Sequence, residues 1–322
     1  MSGLRPGLSL RLGTRRSTLA LTQSGHVEAA LTERGAHVEI VEILTEGDVS
    51  SAPLDSLGGT GVFASALRRA LVDGQIDVAV HSMKDLPTAV EPGLVIVAVP
   101  VREDARDALV ARDGLTLGEL PTAARVGTGS PRRVAQLNAL GLGLTPVGIR
   151  GNVDTRIGAV RSGEVDAVIL ARAGLNRLGR SNEVTQTIDP LQMLPAAGQG
   201  ALAIECRADD SATLAALNVL DDRDTRLCVT AERAVLAGLA VGCAAPVGVF
   251  AEIVEGVDGP ELSLRAVVAS VDGRVDLRRS VLARPDQAED AGARLATMLL
   301  EDGAADLITD NPAAQQSMEQ DS

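Results

Sequence analysis

Three times in this 322-residue chain, a predicted strand passes through a small loop into arginine at an expected helix start. Residues 10–13 lead to Thr14, Arg15, Arg16 and Ser17, with Ser17 placed to cap the helix. Residues 125–127 lead to Thr128, Gly129, Ser130, Pro131, Arg132 and Arg133, and proline suits the first helical position. Residues 146–149 lead to Arg150, Gly151 and Asn152, with Arg156 one turn further on. A helix start already presents unpaired N–H groups and partial positive charge, so arginine there is unfavourable unless an anion occupies the site. One such arginine reads as a solvated surface charge. Three sets, delivered to one edge of α/β sheets, call for a ligand with several negative groups.

A fourth loop carries different chemistry. His81, Ser82, Met83, Lys84, Asp85, Leu86, Pro87 and Thr88 follow an apolar run at 76–80 and end in proline, which places them at a strand end. Of thirty basic residues Lys84 is the single lysine. Either arginine has replaced lysine wherever both would serve, or position 84 needs a compact ammonium rather than a wide guanidinium fork. Asp85 beside it could accept an N–H from a ligand and stabilise a developing cation. Cys243 sits in the small-residue loop Val241-Gly242-Cys243-Ala244-Ala245-Pro246, open to act as a nucleophile or an attachment point, with no histidine near in sequence to activate it. Cys206 and Cys228 fall on apolar faces and read as core thiols.

Composition narrows the partners. A formal net charge of −13 argues against a general nucleic-acid or anionic-membrane surface, so any positive site must be local. Two phenylalanines, Phe63 and Phe250, are the whole aromatic complement, which leaves no stacking platform for single strands. Neither the three cysteines nor the scattered His26, His37 and His81 have metal-ligand spacing, and no metal is expected. The first residues lack the apolar core of a signal peptide, and no apolar run is long enough to span a bilayer, so the expectation is a cytoplasmic protein.

The elements that must position these residues are legible from periodicity. Short runs dominated by apolar residues at 76–80, 94–99, 165–170 and 201–204 predict strands buried on both faces. Between such runs lie helical patterns, as at 62–72, where Phe63, Leu67, Ala70 and Leu71 share one face before Gly74 ends the helix. This alternation predicts two doubly wound α/β lobes resembling those of periplasmic binding proteins, one of residues 1–101 with 195–222 and the other of residues 102–194, joined by hinge crossings. From 223 to 310 the pattern changes to helix, three alternating strands and helix, predicting a small α+β domain with an antiparallel sheet. Residues 311–322 read as a disordered tail.

Taken together, the segments LGTRRSTLALTQ (12–23), EGDVSSAPLDSLGGTGVFASAL (46–67), IDVAVHSMKDLPT (76–88), REDARDALV (102–110), VGTGSPRRVAQL (126–137), IRGNVDTR (149–156), DAVILARAGLNRLG (166–179), LPAAGQGALAIECR (194–207) and VGCAAPVG (241–248) closely resemble the porphobilinogen deaminase family, also called hydroxymethylbilane synthases. The resemblance implies a transferase of tetrapyrrole and haem biosynthesis that joins porphobilinogen units into a linear tetrapyrrole with loss of ammonia. It implies a dipyrromethane cofactor bound as a thioether to Cys243, and pyrrole acetate and propionate groups as the polyanion the arginines require. By motif position, Asp85 would contact pyrrole N–H groups and stabilise the azafulvene cation left when ammonia departs. Lys84, Ser82, Thr128, Ser130, Arg132 and Arg133, with Asp85, would hold the cofactor. Arg15, Ser17, Arg150, Arg156 and Arg177 would hold substrate and growing chain, with Phe63 on a mobile loop and Gln199 in a hinge motif. A monomer is implied, with no nucleic-acid or membrane partner.

The chain departs from the pattern of some members at Ser56 and Thr60, where lysines often stand, and in the Ala-Ala-Pro that follows Cys243. The rival readings differ in testable features. A two-lobed binding protein for an anionic small molecule would need neither the last domain nor Cys243, a transcription-factor effector domain would accompany a helix-turn-helix segment, and a cysteine hydrolase would need a histidine partner.

Overall fold

The computed structural model describes residues 7–44, 61–242 and 245–309, without the side chains of 61–63 and 309. Two compact units emerge, Met1–Arg102 with Ala201–Arg226, and Glu103–Gly200 with Leu227–Ser322.

In the first unit, β1 (Ser9–Thr14), β2 (His37–Glu42), β3 (Val78–Ser82), β4 (Leu94–Ala98) and β10 (Leu202–Arg207) form a five-stranded sheet in the order β2-β1-β3-β10-β4. Strand β1 runs parallel to β2 and β3, whereas β10 is antiparallel to both its neighbours. Apolar residues dominate these runs because both faces are covered. On one face Leu10, Leu12, Val78, Val80 and Ile204 pack with Val27 and Leu31 of α1 (Thr18–Thr32) and Leu217 of α6 (Ser211–Leu217). On the other, Leu67, Ala70 and Leu71 of α2 (Gly61–Val72) meet Ile76, Ala79 and Leu94. Each fully buried leucine in such a layer contributes about 1.5–3 kcal/mol.

The sequence placed β3 two residues too early. Gln75 and Ile76 both donate their N–H groups to the Ala70 carbonyl, at 2.9 and 3.3 Å, so they close the end of α2 rather than begin the strand. In consequence His81 and Ser82 lie inside β3, opposite Ala203 and Leu202 of β10.

The second unit holds a five-stranded sheet and a three-stranded one. The first uses β5 (Asp107–Ala111), β6 (Arg125–Gly127), β7 (Thr145–Val147), β8 (Ala167–Ala171) and β9 (Gln186–Thr187) in the order β7-β6-β8-β5-β9. Its strand β6 is parallel to β7 and β8, and β5 is antiparallel to β8 and β9. The helices α3 (Pro131–Ala139), α4 (Val153–Arg161) and α5 (Arg172–Arg177) follow β6, β7 and β8 in turn. The second sheet is antiparallel, β11 (Val247–Gly256), β12 (Gly259–Ala269) and β13 (Asp276–Ala283) in that order, as the alternating pattern required. Its apolar face packs with α7 (Arg223–Gly238), α8 (Ala288–Glu301) and α9 (Ala304–Thr309).

Two glycines are dictated by space as well as backbone. At Gly151 φ is +99° and a Cβ would stand 2.7 Å from that of Thr155. At Gly200 φ is +88° and a Cβ would meet the Glu103 carbonyl oxygen at 2.4 Å. Alanine at either position would be strained twice over, by dihedral and by collision. No helix among the described residues is long and apolar enough to cross a membrane.

Candidate active site

In the first unit, β1 and β3 are parallel neighbours, so the loops that leave their C-terminal ends share one edge of the sheet. The loop after β1 carries Arg15, half-buried, and Ser17, which caps α1 by accepting a hydrogen bond from the Ala20 N–H at 3.3 Å. After β3 the chain makes a single 3₁₀ turn, Met83–Asp85, with Met83 buried beneath it and Lys84 and Asp85 half-buried. The Met83 N–H donates to the Ala201 carbonyl at 3.0 Å, which ties the turn to the start of β10. Ser82 Oγ lies within hydrogen-bonding reach of both amide atoms of Gln23, at 3.1 and 3.3 Å. Arg15, Ser17, Ser82, Lys84 and Asp85 are thereby gathered at one edge.

In the second unit, the ends of β6, β7 and β8 form the corresponding edge. Thr128 is buried and its Oγ1 accepts from the Ser130 N–H at 3.2 Å, shaping the entry to α3, where Pro131 opens the helix. Asn152 caps α4 by accepting from the Thr155 N–H at 2.9 Å. Arg150 is exposed, while Arg156 is half-buried and donates from Nε to the Gly151 carbonyl at 3.0 Å. Arg177, at the end of α5, donates to the Gly200 carbonyl at 2.6 Å.

Arg132 and Arg133 turn inward. Both are buried, and both reach Asp107, the first residue of β5, which is fully enclosed. Arg132 Nη1 donates to Asp107 Oδ2 at 2.7 Å, and Arg133 Nη2 and Nε donate to Oδ1 at 2.7 and 3.1 Å. Gln199 Nε2 joins the same Oδ1 at 2.9 Å and the Ala105 carbonyl at 2.7 Å. The carbonyls of Leu194 and Ile169 take further donors from Arg132 and Arg133.

Burial works against the Asp107 charge, yet the two guanidinium groups hold its carboxyl far below the ordinary range. Burial pulls the pKa of Arg132 down, an effect that Asp107 opposes and Arg133 reinforces. For Arg156 burial again lowers the pKa, and Arg133 lowers it further. Asp107 thus faces two buried guanidiniums, and Arg156 lies near enough to Arg133 to feel its charge, so cations gather at this edge. Arg177 has the same desolvation, opposed by Glu103.

A family model described as porphobilinogen deaminase, dipyromethane cofactor binding domain, matches residues 10–215, and one described as the C-terminal domain of porphobilinogen deaminase matches residues 226–301. The chain belongs to the porphobilinogen deaminase family. Curated relatives agree. A porphobilinogen deaminase of Nocardia farcinica is 55% identical over 98% of this chain and 92% of its own length, and one of Mycobacterium avium is 55% identical over 93% and 96%. Remote likenesses among solved structures are found as well. A YaeC-family lipoprotein of Enterococcus faecalis has a TM-score of 0.41 and 17% identity over 66% of this chain and 90% of that one.

Against the porphobilinogen deaminase motifs, sequence reasoning missed Asp107 although it stands inside 102–110. The available signal was an aspartate opening an otherwise apolar buried strand, a place where carboxylates occur only when paired. Cys206 and Cys228 are both buried, and burial pushes the Cys206 thiol up to about 11, which removes it as a nucleophile at neutral pH. Cys243, Ser56, Thr60, residues 311–322 and the side chain of Phe63 lie outside the described residues.

Proposed function

We propose that the chain joins four porphobilinogen units, with release of four ammonia molecules, on a dipyrromethane primer attached to Cys243, and that one water frees the linear tetrapyrrole as hydroxymethylbilane. The observation that supports it most is the pair of buried guanidiniums, Arg132 and Arg133, that share the one carboxylate of Asp107, with Arg156 close enough to feel the charge of Arg133. A cofactor with acetate and propionate groups is the complement of that charge, and the residues present fit it. When bound, dipyrromethane supplies the pyrrole carbon to which units are joined. Lys84, Ser82, Thr128, Ser130, Arg132 and Arg133 hold it, and Arg15, Ser17, Arg150, Arg156 and Arg177 pair with the carboxylates of substrate and product, where a bidentate fork fixes orientation. Phe63 and Gln199 serve loop and hinge.

As the aminomethyl carbon–nitrogen bond of porphobilinogen breaks, the electron pair leaves with ammonia and positive charge spreads over the pyrrole ring. Asp85 accepts the ring N–H and stabilises that charge, an electrostatic contribution that operates only as the charge develops. The protein acts as a cytoplasmic monomer. Purified protein supplied with porphobilinogen should release one ammonia for each porphobilinogen consumed and yield a linear product that cyclises to uroporphyrinogen without further enzyme. Saturable binding without ammonia release would instead match a solute-binding protein and overturn the proposal.

A further inference from the structure

Arg68, His81 and Glu205 form a buried polar group, built on an ion pair, in the first unit that the chemistry above leaves unused. Their exposures are 8%, 6% and 2%. Arg68 reaches from α2 with Nε 3.2 and 3.1 Å from the two Glu205 oxygens and Nη2 2.9 Å from Oε1, while its Nη1 meets Glu91 at 3.3 Å. His81 Nε2 lies 3.2 Å from Glu205 Oε2, close enough to pair although off the line of a straight hydrogen bond. Burial works against the Glu205 charge, but His81 and Arg68 outweigh it and hold the carboxyl below its ordinary range.

Stability alone is a poor reason for this group. Ions taken from water into a core pay a desolvation cost that their attraction barely recovers, and apolar replacements of both partners are often neutral or stabilising. The placement supplies a better one. Glu205 stands on β10, the strand paired with β3, and His81 is the next-to-last residue of β3, followed by Ser82 and the turn Met83–Asp85.

We propose that Glu205 is a positioning residue, holding His81 from the neighbouring strand, with Arg68 as its counter-ion, so that the backbone presents Lys84 and Asp85 in one fixed geometry. The inference rests on the assignment of Asp85 as the carboxylate that stabilises the cation. A misplacement of about 1 Å at a reacting group costs up to about 100-fold in rate, so small rotations of His81 have large consequences.

Four variants of the full chain test it, read by kcat and KM, by melting temperature and by intact mass for dipyrromethane loading. Glu205→Gln and His81→Asn, the latter leaving the Arg68–Glu205 pair in place, should lower kcat by about 10–100-fold with KM unchanged and cofactor loaded. His81→Gln, whose amide nitrogen reaches the place of Nε2, should keep most turnover. The paired Arg68→Met/Glu205→Leu variant removes both charges together, and should melt near the unmodified protein while kcat stays low. Recovery of kcat together with melting temperature in the paired variant, or unmodified kcat in His81→Asn, would overturn the positioning role. Asp85→Asn separates the two ideas. If it turns over normally the underlying assignment fails, and if it is inactive while the Glu205 and His81 variants are fully active only the positioning role fails.

Discussion

Replacing Asp107 by alanine should destabilise the protein by about 3–5 kcal/mol, the cost of leaving buried charge without its partner, and should yield protein lacking dipyrromethane. The carboxylate is fully enclosed and receives Arg132, Arg133 and Gln199, so its removal leaves two guanidiniums facing each other in a desolvated space. Urea unfolding followed by circular dichroism measures the first effect and intact mass the second. Asp107→Asn, which keeps an acceptor oxygen but loses the charge, should fall between. Acid sharpens the test. Because the Asp107 carboxyl is depressed from 3.8, its contribution is complete above that value and is lost as pH falls through the lower folded value. The alanine variant should therefore lose less stability on acidification than the unmodified chain. An unchanged urea midpoint with full loading would show that these arginines are held by something else.

Asp85→Asn should cost on the order of 10²–10³ in kcat, the range found when one group aimed at developing charge is removed, while the cofactor is still loaded. The amide is nearly the same size and can accept the pyrrole N–H, but it carries no negative charge to oppose the ring cation. Asp85 belongs to a short turn anchored through Met83 to Ala201, so the substitution should leave the fold intact. A melting temperature close to that of the unmodified protein, with kcat reduced and KM little altered, is the expected pattern. Near-normal turnover would refute the role.

The arginines at helix starts, the cap at Ser17, the proline opening α3 and the antiparallel final sheet were all legible in the sequence, because each follows from local chemistry or from periodicity. What was not legible is pairing across long separations. Apolar runs announced β8 and β10 as buried strands, yet nothing in a run says that a neighbour is antiparallel, or that residue 205 will stand beside residue 79. For the same reason Arg132 and Arg133 were visible as cations at a helix start, while their inward turn onto Asp107 was not. A guanidinium on a long side chain can face solvent, ligand or core, and the choice is made by a carboxylate twenty-five residues earlier in the chain. Glu205 was the quieter clue, a charged residue within the apolar strand LAIECR, which burial permits only when the charge is partnered.

These features converge on one claim, that the arginine edge of the second unit is built around a resident anionic cofactor and not only around a passing substrate. Cys243 is its proposed anchor. Intact mass spectrometry of the purified, active protein tests this most directly. The expected mass exceeds that of the sequence by one dipyrromethane, and Cys243→Ser should lose both the increment and turnover. An active preparation of unmodified mass, or an increment that survives Cys243→Ser, would contradict it.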